Sequence, residues 1–255
     1  MKPSQRQNEI LTLMRALQKE LKVEELAALL NVSSLTIRRD LQQLSRQRAI
    51  IRTHGGCLSI SWAALETEYS RKVSLNLELK QAIGKAAVEQ LKPGDALLIH
   101  DGSTTFHLAS NLSSKTPLTV YTNSLAMISE LGRVPAVSLY IIGGMYNPNL
   151  YSLRGSLTEY VLESLNIDVT FLGADAIDDE GRCLASSPEE ASLAKCMLRS
   201  GRRKILLADH TKLNARGNVV YGTLNEFELW ITTRGIGESR LQKLGQQTHI
   251  HEAEP

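Results

Sequence analysis

Five polar side chains between positions 36 and 43 have the types and the spacing to contact nucleic-acid bases. Ile37, Leu41 and Leu44 recur at i, i+4 and i+7, which predicts one buried stripe of a helix. The polar residues fall off that stripe and face outward; they are Thr36, Arg38, Arg39, Gln42 and Gln43. Arg can bond bidentately to guanine, Gln to adenine, and Thr can contact a thymine methyl or a phosphate. Such a helix is suited to a DNA major groove.

A shorter amphipathic segment precedes this helix, with Leu26, Ala27 and Leu30 on its inner face. After the turn at 31–33, Ser33 and Ser34 are both good N-caps. Whichever one caps leaves the other hydroxyl near the helix start, where a phosphate can bind. An ordinary helical hairpin with a solvated, charged face has the same periodicity, so periodicity alone leaves both alternatives open.

The stretch 49–56 favours the DNA-binding alternative. It predicts a β-strand that ends at Gly55 and Gly56 in a turn requiring positive φ. A strand and turn following two helices form the wing of a winged helix-turn-helix. The wing would place Arg52 and His54 against the DNA backbone or the minor groove.

Basic charge is concentrated in the same part of the chain. Residues up to His54 carry ten basic and five acidic side chains, a net +5, which leaves −3 for the rest of a chain whose formal net charge is +2. A basic head on a mildly acidic body favours DNA binding by the head alone. Within the head, residues 4–19 predict a first helix that begins with Ser4 as N-cap and directs Arg6 toward a phosphate; a plain surface charge is the alternative for Arg6.

Composition argues against several other classes. Cys57, Cys183 and Cys196 are odd in number and lack metal-ligand spacing, so neither a disulfide framework nor a metal site is predicted. The amino terminus has no apolar signal region, and no stretch approaches the length of a membrane span. We therefore expect a cytoplasmic protein with no membrane partner.

From residue 77 onward, apolar strands alternate with amphipathic helices. A helix is predicted from Leu77 to Leu91. Strands are predicted at 96–99, 118–121, 137–142, 169–172, 204–207 and 227–231, and further helices at 104–112, 124–131, 157–165, 188–200 and 238–246. This alternation favours a mainly parallel sheet covered on both faces. In such sheets ligands bind at the carboxyl ends of the strands, where the strand order switches.

Five of these strands are followed by polar or glycine-rich loops. His100-Asp101-Gly102-Ser103-Thr104-Thr105 combines a glycine turn, hydroxyls and a helix start, which together can hold a phosphate. The others are Thr122-Asn123-Ser124, Gly143-Gly144-Met145, Gly173-Ala174-Asp175 and Asp209-His210-Thr211-Lys212. Each alone is more often an N-cap or a turn, but five at one edge predict a ligand site. Since the chain has no GxGxxG and no Walker A motif, no nucleotide cofactor is predicted.

Nearly the whole chain resembles the DeoR family of bacterial transcription regulators. In the head the matching residues are Arg6 with Ile10, VEELAALLNVSSLTIRRDLQQL and RTHGG; TIRRDL followed by RTHGG at this distance is specific. In the body the matching pieces are LELKQAIGKAA, DGSTT, TNS, IIGG, LRG, FLGADAID, PEEA with Lys195, and LLADHTK.

The resemblance implies an α/β chain with three parts: a winged helix-turn-helix at 1–58, a linker at 59–76, and a Rossmann-like effector domain at 77–255 similar to ribose-5-phosphate isomerase. It implies that Ser103, Thr104 and Thr105 hold the phosphate of a phosphorylated sugar. The sugar site would be lined by Thr122, Asn123, Ser124, Gly143 and Gly144. Hydroxyl contacts or pocket closure would come from Asp175, Glu190, Lys195, Asp209 and Lys212.

The first loop departs from the family pattern, which has an Asp two positions before the glycine. Here His100 stands at that position and Asp101 directly precedes Gly102. Either Asp101 substitutes for the missing carboxylate, or the site prefers a different ligand. His100 is equally well explained as a cation facing a phosphate or as a residue without ligand contact.

These expectations combine into a repressor: a homodimer or homotetramer that binds a double-stranded DNA operator and is released by a phosphorylated sugar. Arg6, Arg46 and Arg52 would contact phosphates, while Arg38, Arg39, Gln42 and Gln43 supply specificity. No cofactor, metal or catalytic residue is expected. The alternative is an isomerase-like enzyme with an accessory DNA-binding head, in which Glu190, Lys195, Asp209 and Lys212 do acid–base chemistry. The length of chain given to the head argues against it.

Overall fold

Two compact units make up the chain, Met1–Ser70 and Arg71–Pro255. The structure, a computed structural model, describes residues 3–17, 20–46, 50–53, 55–59, 68–132 and 134–254. None of the described helices is long and apolar enough to cross a membrane.

The first unit combines three helices with a small antiparallel sheet. The helices are α1 (Pro3–Leu17), α2 (Val23–Leu29) and α3 (Ser34–Arg46), and the strands are β1 (Leu21–Lys22), β2 (Ile50–Arg52) and β3 (Gly56–Ser59), in the order β1-β3-β2. The helix pair α2 and α3 and the wing formed by β2 and β3 are confirmed. Ile10, Leu26 and Ile37 join one buried core, which holds α1 across the helix pair.

Several local predictions for this unit are wrong. Ser4 lies inside α1 instead of capping it. Neither Gly55 nor Gly56 has a positive φ. A Cβ on Gly56 would lie 2.2 Å from the carbonyl oxygen of Leu21, so this glycine is required by the close approach of β1 and β3. The domain boundaries at 58 and 76 stay predictions; β3 ends at Ser59, and the first compact unit ends at Ser70.

The second unit is organised around a parallel sheet. After α4 (Glu68–Ser74) and α5 (Leu77–Val88), its strands are β4 (Ala96–Ile99), β5 (Leu118–Thr122), β6 (Val137–Ile141), β7 (Met145–Asn147), β8 (Ser152–Arg154), β9 (Ile167–Leu172), β10 (Ala176–Ile177), β11 (Arg182–Ala185), β12 (Gly201–Leu207), β13 (Val219–Thr223), β14 (Leu229–Thr233) and β15 (His249–Ala253). The remaining helices are α6 (Ser103–Ala109), α7 (Met127–Leu131), α8 (Ser156–Glu163), α9 (Pro188–Ser200) and α10 (Glu238–Gly245).

Seven of these strands form one sheet in the order β15-β14-β12-β9-β4-β5-β6, and every neighbouring pair in it is parallel. Successive residues of β4 enter different cores: Leu97 and Ile99 pack on one face of the sheet and Leu98 on the other. Burial on both faces explains why the strands are continuous apolar runs, and the predicted doubly covered sheet is confirmed.

The chain builds the sheet outward from its middle. From β4 it proceeds through β5 to β6 on one side, and from β9 it proceeds through β12 and β14 to β15 on the other. The order of strands therefore switches between β4 and β9, whose carboxyl ends lie side by side.

The elements missing from the sequence prediction are short or polar. They are the helix α4 in the predicted linker, the hairpin of β7 and β8, the antiparallel sheet β10-β11-β13, and the edge strand β15. In β15 the side chains of His249 and His251 are exposed and only Ala253 is buried. An edge strand with so few buried side chains carries no apolar run in the sequence. Its hydrogen-bonded pairing with β14 holds it in the sheet.

Candidate functional site

The amphipathic character predicted for residues 34–46 is present on α3. Ile37, Leu41 and Leu44 are buried, while Arg38, Arg39, Gln42 and Gln43 are exposed. Ser33 is the N-cap residue: its Oγ accepts from the Thr36 backbone nitrogen at 3.2 Å and lies 2.9 Å from Thr36 Oγ1. Ser34 is the first helical residue. The helix therefore presents a basic and amide-bearing face to solvent.

Arg6 does not face outward, so its predicted phosphate contact is wrong. Its side chain is buried and donates from Nε to Asp40 Oδ2 at 2.5 Å and from Nη2 to Asp40 Oδ1 at 3.2 Å. Asp40 is buried as well, and a buried carboxylate requires a cation with good geometry. The pair fixes α1 against α3. Gln7 adds to it, donating to Asp40 Oδ1 at 3.3 Å and to Gln43 Oε1 at 2.9 Å.

The wing lies beside the same helix. Arg52 is exposed and donates from Nη1 to the Arg38 carbonyl oxygen at 3.3 Å. Arg38 in turn lies 3.9 Å from Glu24 in an exposed ion pair, which is a weak interaction. His54 lies outside the described residues, and the side chain of Arg46 is not described either.

In the second unit, all five predicted loops follow the carboxyl ends of parallel strands. We call this edge of the sheet the rim; it comprises residues 100–105, 122–124, 143–145, 173–175 and 209–212. Because Ile99 pairs with Phe171, and His100 donates its backbone N–H to the Phe171 carbonyl at 3.1 Å, the loops 100–105 and 173–175 meet at the switch point.

The hydroxyls of the first loop do not form the predicted phosphate cradle as a group. Thr105 is fully buried and its Oγ1 donates to the carbonyl oxygens of His100 at 2.5 Å and Gly102 at 2.6 Å. It therefore holds the turn closed instead of facing a ligand. Thr104 is buried and Ser103 is half-buried. His100 Nε2 lies 3.0 Å from Asp101 Oδ1, so the two residues at the position of the family departure form a pair.

The second loop is also partly structural. Thr122 Oγ1 donates to the Ile99 carbonyl at 2.7 Å and accepts from the Ser124 nitrogen at 3.1 Å. Asn123 and Ser124 are fully buried. In the third loop, a Cβ on Gly144 would lie 2.1 Å from Thr158 Oγ1, which donates to the Gly143 carbonyl at 2.8 Å. Gly144 thus allows α8 to pack closely, whereas a side chain at Gly143 would meet no neighbour within 4 Å.

Carboxylates and cations alternate around the switch point. Asp175 accepts from the Ser186 backbone nitrogen at 2.9 Å and lies 3.4 Å from Lys72 Nζ. Burial would raise the pKa of Asp175, but Lys72, Ser186 and Lys212 together hold it below its ordinary value. Glu190, 3.6 Å from Arg154, has a raised pKa because it is desolvated and because Asp175 is near.

Lys195 does not join this group. It lies five residues after Glu190 on α9, roughly 140° around the helix axis. Glu190 is half-buried beside Arg154, whereas Lys195 is exposed. The structure therefore does not bring Lys195 together with Glu190, because the spacing of five places the two side chains on different faces.

Two lysines at the rim were missed by the sequence prediction, Lys72 and Lys80. Lys80 is 3% exposed and donates from Nζ to the Lys72 carbonyl. Burial, with Lys212 beside it, lowers the pKa of Lys80 to about 8. A signal was available in the sequence: Lys80 shares the helix face of Ile83, Gly84 and Ala87, where a lysine is unexpected. Lys72 falls in the predicted linker, and no sequence pattern distinguishes it from its neighbours there.

Asp209 faces these lysines. It is fully buried, and its Oδ1 accepts from the Thr211 nitrogen at 3.0 Å and from the Thr211 hydroxyl. Its charge raises the pKa of Lys80 against the larger lowering by burial and Lys212. Lys72, Lys80 and Lys212 thus place three cationic groups near two carboxylates, Asp175 and Asp209. Arg154, which belongs to the LRG segment that matches the family, adds a fourth cation beside Glu190.

Buried polar atoms without a hydrogen-bond partner are concentrated at the rim. Of those found among the described residues, six belong to rim loops or to β8 beside them: His100 Nδ1, Asn123 Oδ1, Ser124 Oγ, Ser152 Oγ, Arg154 Nε and Asp209 Oδ2. Buried polar groups in proteins are almost always paired, and an unpaired one costs about 1–3 kcal/mol. Six at one edge make this edge of the sheet the candidate site for a polar ligand. No cluster able to hold a metal ion occurs in the described parts of the chain.

Comparisons with known proteins agree with this division into two units. Residues 6–62 match the "DeoR-like helix-turn-helix domain", and residues 75–234 match the "DeoR C terminal sensor domain". The transcriptional repressor AccR of Agrobacterium fabrum is 32% identical over 94% of both chains. The putative aga operon transcriptional repressor of Escherichia coli O157:H7 is 30% identical over 94% of this chain and 90% of its own.

Two further matches are similar to parts of the chain. The transcriptional repressor GlcR of Bacillus subtilis is 32% identical over 83% of this chain and 81% of its own. Ribose 5-phosphate isomerase A of Methanocaldococcus jannaschii superposes with a TM-score of 0.40 at 18% identity, over 54% of this chain and 55% of that one, a likeness too low to bear on function. The two family domains together span most of the sequence, and the chain belongs to the DeoR family of transcription regulators.

Proposed function

We propose that this protein is a transcriptional repressor that binds a DNA operator through α3 and is released by a phosphorylated sugar, or a derivative of one, bound at the rim. The observation that carries the ligand half of the proposal is the set of six unpaired buried polar atoms beside the lysines of the rim. The DNA half is supported by the exposed basic face of α3 in a family of transcription regulators.

The charges of the rim favour a phosphate. Burial lowers the pKa of Lys80, and the charges of Lys212 and Lys72 lower it further, so cationic groups lie close together here. An anion placed among three lysines relieves that repulsion and forms charge-assisted hydrogen bonds, which are stronger than neutral ones. Asp175 and Asp209 are acceptors, as hydroxyls require, and a sugar phosphate carries both a phosphate and hydroxyls.

The DNA contacts follow from the face of α3. Arg38, Arg39 and Gln42 would enter the major groove, and Arg52 on the wing would contact the backbone. Because Arg6 is buried, it is removed from the predicted phosphate contacts. A homodimer or homotetramer would present two such helices to a repeated or palindromic operator.

Residues 71–76 offer a route from the rim to the DNA-binding unit. The Lys72 carbonyl accepts from Lys80, the Val73 carbonyl lies 3.2 Å from His107 Nε2, and Asn76 donates to Thr211 at 3.3 Å. An anion that engages Lys80 competes with the hydrogen bond to Lys72. We expect backbone amides of 71–76 to exchange hydrogen faster when the ligand is bound; unchanged exchange would place the coupling elsewhere.

The proposal is tested by operator release. DNA fragments selected from genomic DNA by the full chain are titrated by fluorescence anisotropy, with and without each of a panel of pentose and hexose phosphates and their unphosphorylated parents. One phosphorylated sugar should weaken operator binding by about fivefold to 150-fold, the usual range of allosteric coupling, while its parent has no effect. The proposal fails if no fragment is selected, or if no compound changes the affinity.

The enzyme alternative is tested with the same compounds. We expect no interconversion of pentose or hexose phosphates, because Lys195 is not on the helix face of Glu190 and the relatives named above are transcription repressors. Turnover that is lost in Glu190→Gln would overturn this expectation. Glu189→Gln is the matched control, since Glu189 is the exposed neighbour on the same helix.

A further inference from the structure

Two serines face each other in the interior of the second unit. Ser124 and Ser152 are antiparallel bridge partners, and the flanking hydrogen bonds run from Leu125 N to Tyr151 O at 3.0 Å and from Leu153 N to Asn123 O at 2.8 Å. This pattern identifies a non-hydrogen-bonded pair, in which the side chains lie on the same face and closest together. Both residues are 0% exposed.

Neither hydroxyl has a hydrogen-bond partner. They do not bond to each other, although a serine hydroxyl is both donor and acceptor. Two adjacent buried hydroxyls left unpaired are costly in a folded protein, and the cost is removed when a polar group lies between them.

Two further unpaired groups flank the serines. Asn123 uses its Nδ2 on the Leu153 carbonyl at 3.1 Å, which leaves Oδ1 as a free acceptor. Arg154 follows Ser152 by two residues on β8, and both are buried while Leu153 between them is half-buried, so they share the inward face of the strand. Arg154 Nε has no partner, and its Nη1 lies 3.6 Å from Glu190, which the charge of Asp175 also affects.

The cluster thus continues the rim but differs from its lysine side. Lys72, Lys80 and Lys212 are cations, whereas Ser124 and Ser152 are neutral and can both donate and accept. With the Asn123 acceptor and the Arg154 donor, they match the mixed donors and acceptors of a polyol. The doubly charged phosphate group of a phosphorylated sugar offers only acceptors, so it leaves the Asn123 oxygen unpaired.

We propose that Ser124 and Ser152 bind the hydroxyls of the sugar and so determine which sugar phosphate the protein recognises, with Asn123 and Arg154 completing the subsite. The proposal rests on the proposed function and deepens it. It adds the β7–β8 hairpin to the site, through Ser152 and Arg154, neither of which lies in a predicted loop.

The test compares affinities for sugar phosphates with affinity for inorganic phosphate. Ser152→Ala and the control Ser138→Ala, an exposed serine on β6, are titrated by calorimetry with glucose 6-phosphate, fructose 6-phosphate, ribose 5-phosphate and inorganic phosphate. Loss of one neutral hydrogen bond corresponds to about twofold to tenfold. We expect Ser152→Ala to lose that much for the sugar phosphate that the native protein prefers, and to keep its affinity for inorganic phosphate. Ser138→Ala should match the native protein.

Several outcomes would overturn the subsite. If Ser152→Ala retains the native order and spread of affinities across the three sugar phosphates, the serines do not select the sugar. A lower melting temperature with unchanged discrimination would assign the hydroxyls to a structural water. Should Ser152→Ala fail to fold, Ser124→Ala is measured with the same four probes and must show the same selective loss. If the native protein binds none of the probes, the proposed function fails and the subsite with it; binding without selective loss removes the subsite alone.

Discussion

The two units treat buried polar groups in opposite ways. In the DNA-binding unit the buried charge of Asp40 is paired with Arg6 and further bonded by Gln7, and the groups suited to DNA are exposed on α3. In the second unit six buried polar atoms of the rim and of the neighbouring strand β8 are unpaired. This contrast is what we expect if α3 meets DNA with its buried groups already paired and the rim keeps part of its hydrogen bonding open for a small molecule.

The largest expected effect comes from breaking the Arg6–Asp40 ion pair of the first unit. Asp40→Ala removes the carboxylate that the Arg6 guanidinium bonds, so the free energy of unfolding should fall by more than an exposed ion pair contributes. Urea denaturation followed by circular dichroism measures it. Glu24→Ala, which removes the exposed pair with Arg38, should change the value by less than about 1 kcal/mol. Equal effects would mean that the buried pair does not stabilise the unit.

The next effect concerns the cations of the second unit. Lys212→Ala should weaken binding of the effector sugar phosphate by about tenfold to 150-fold, as expected for a lost hydrogen bond to a charged group. Lys195→Ala is the matched control, since Lys195 is exposed on another helix face, and it should stay within about twofold. Calorimetry decides; a comparable loss in Lys195→Ala would restore that lysine to the site.

On the DNA side, Arg38→Ala should weaken operator binding by about 1–3 kcal/mol and relax sequence preference at the contacted base pair. Binding to unrelated DNA should fall less, because most non-specific affinity comes from phosphate contacts. Fluorescence anisotropy at one fixed salt concentration compares the two. Equal losses on operator and unrelated DNA would show that Arg38 contacts only phosphate.

The smallest expected effect is a pH dependence of effector affinity, which arises from Lys80. Because burial and Lys212 lower the pKa of Lys80 to about 8, its positive charge is lost as the pH rises through that value. Effector affinity should therefore fall by about tenfold between pH 7 and pH 9, while the sugar phosphate itself, with a second pKa of about 6, stays doubly charged. Lys80→Arg keeps its charge and should bind with a flat profile, provided that its melting temperature is native.

Stability of the ligand-free protein should change in the opposite sense. The unfolded state binds the Lys80 proton more tightly than the folded state, so this residue's contribution to stability rises between about pH 8 and 10.5. Affinity that rises with pH, or stability that falls across that window because of Lys80, would contradict the position assigned to this lysine.

Sequence reasoning succeeded where local pattern and burial coincide. The α3 stripe and six of the seven strands of the parallel sheet are periodic or continuous in the sequence because each element buries one face or two, and the polar loops follow the carboxyl ends of the strands. The family match rests on the same segments, so the winged helix-turn-helix and the parallel α/β unit were both predictable.

It failed where the partner of a side chain is distant in the chain. Nothing in the neighbourhood of Arg6 shows that Asp40, 34 residues later, will bury it. Lys72 falls in the predicted linker, because its carboxylate partner, Asp175, lies 103 residues away in the chain and no neighbouring residue points to it. Thr105, expected to hold a phosphate, instead donates to carbonyls of its own turn.

The sequence by itself determined the kinds of element, the edge of the sheet at which polar loops gather, and the family of the protein. The tertiary structure alone decided which of those polar residues are paired and which are open. The pairing of β8 against 123–125 puts Ser152 opposite Ser124, and the turn of α9 separates Lys195 from Glu190. Local spacing sets the direction of a side chain, but only packing between distant segments sets what that side chain meets and how far it is removed from water.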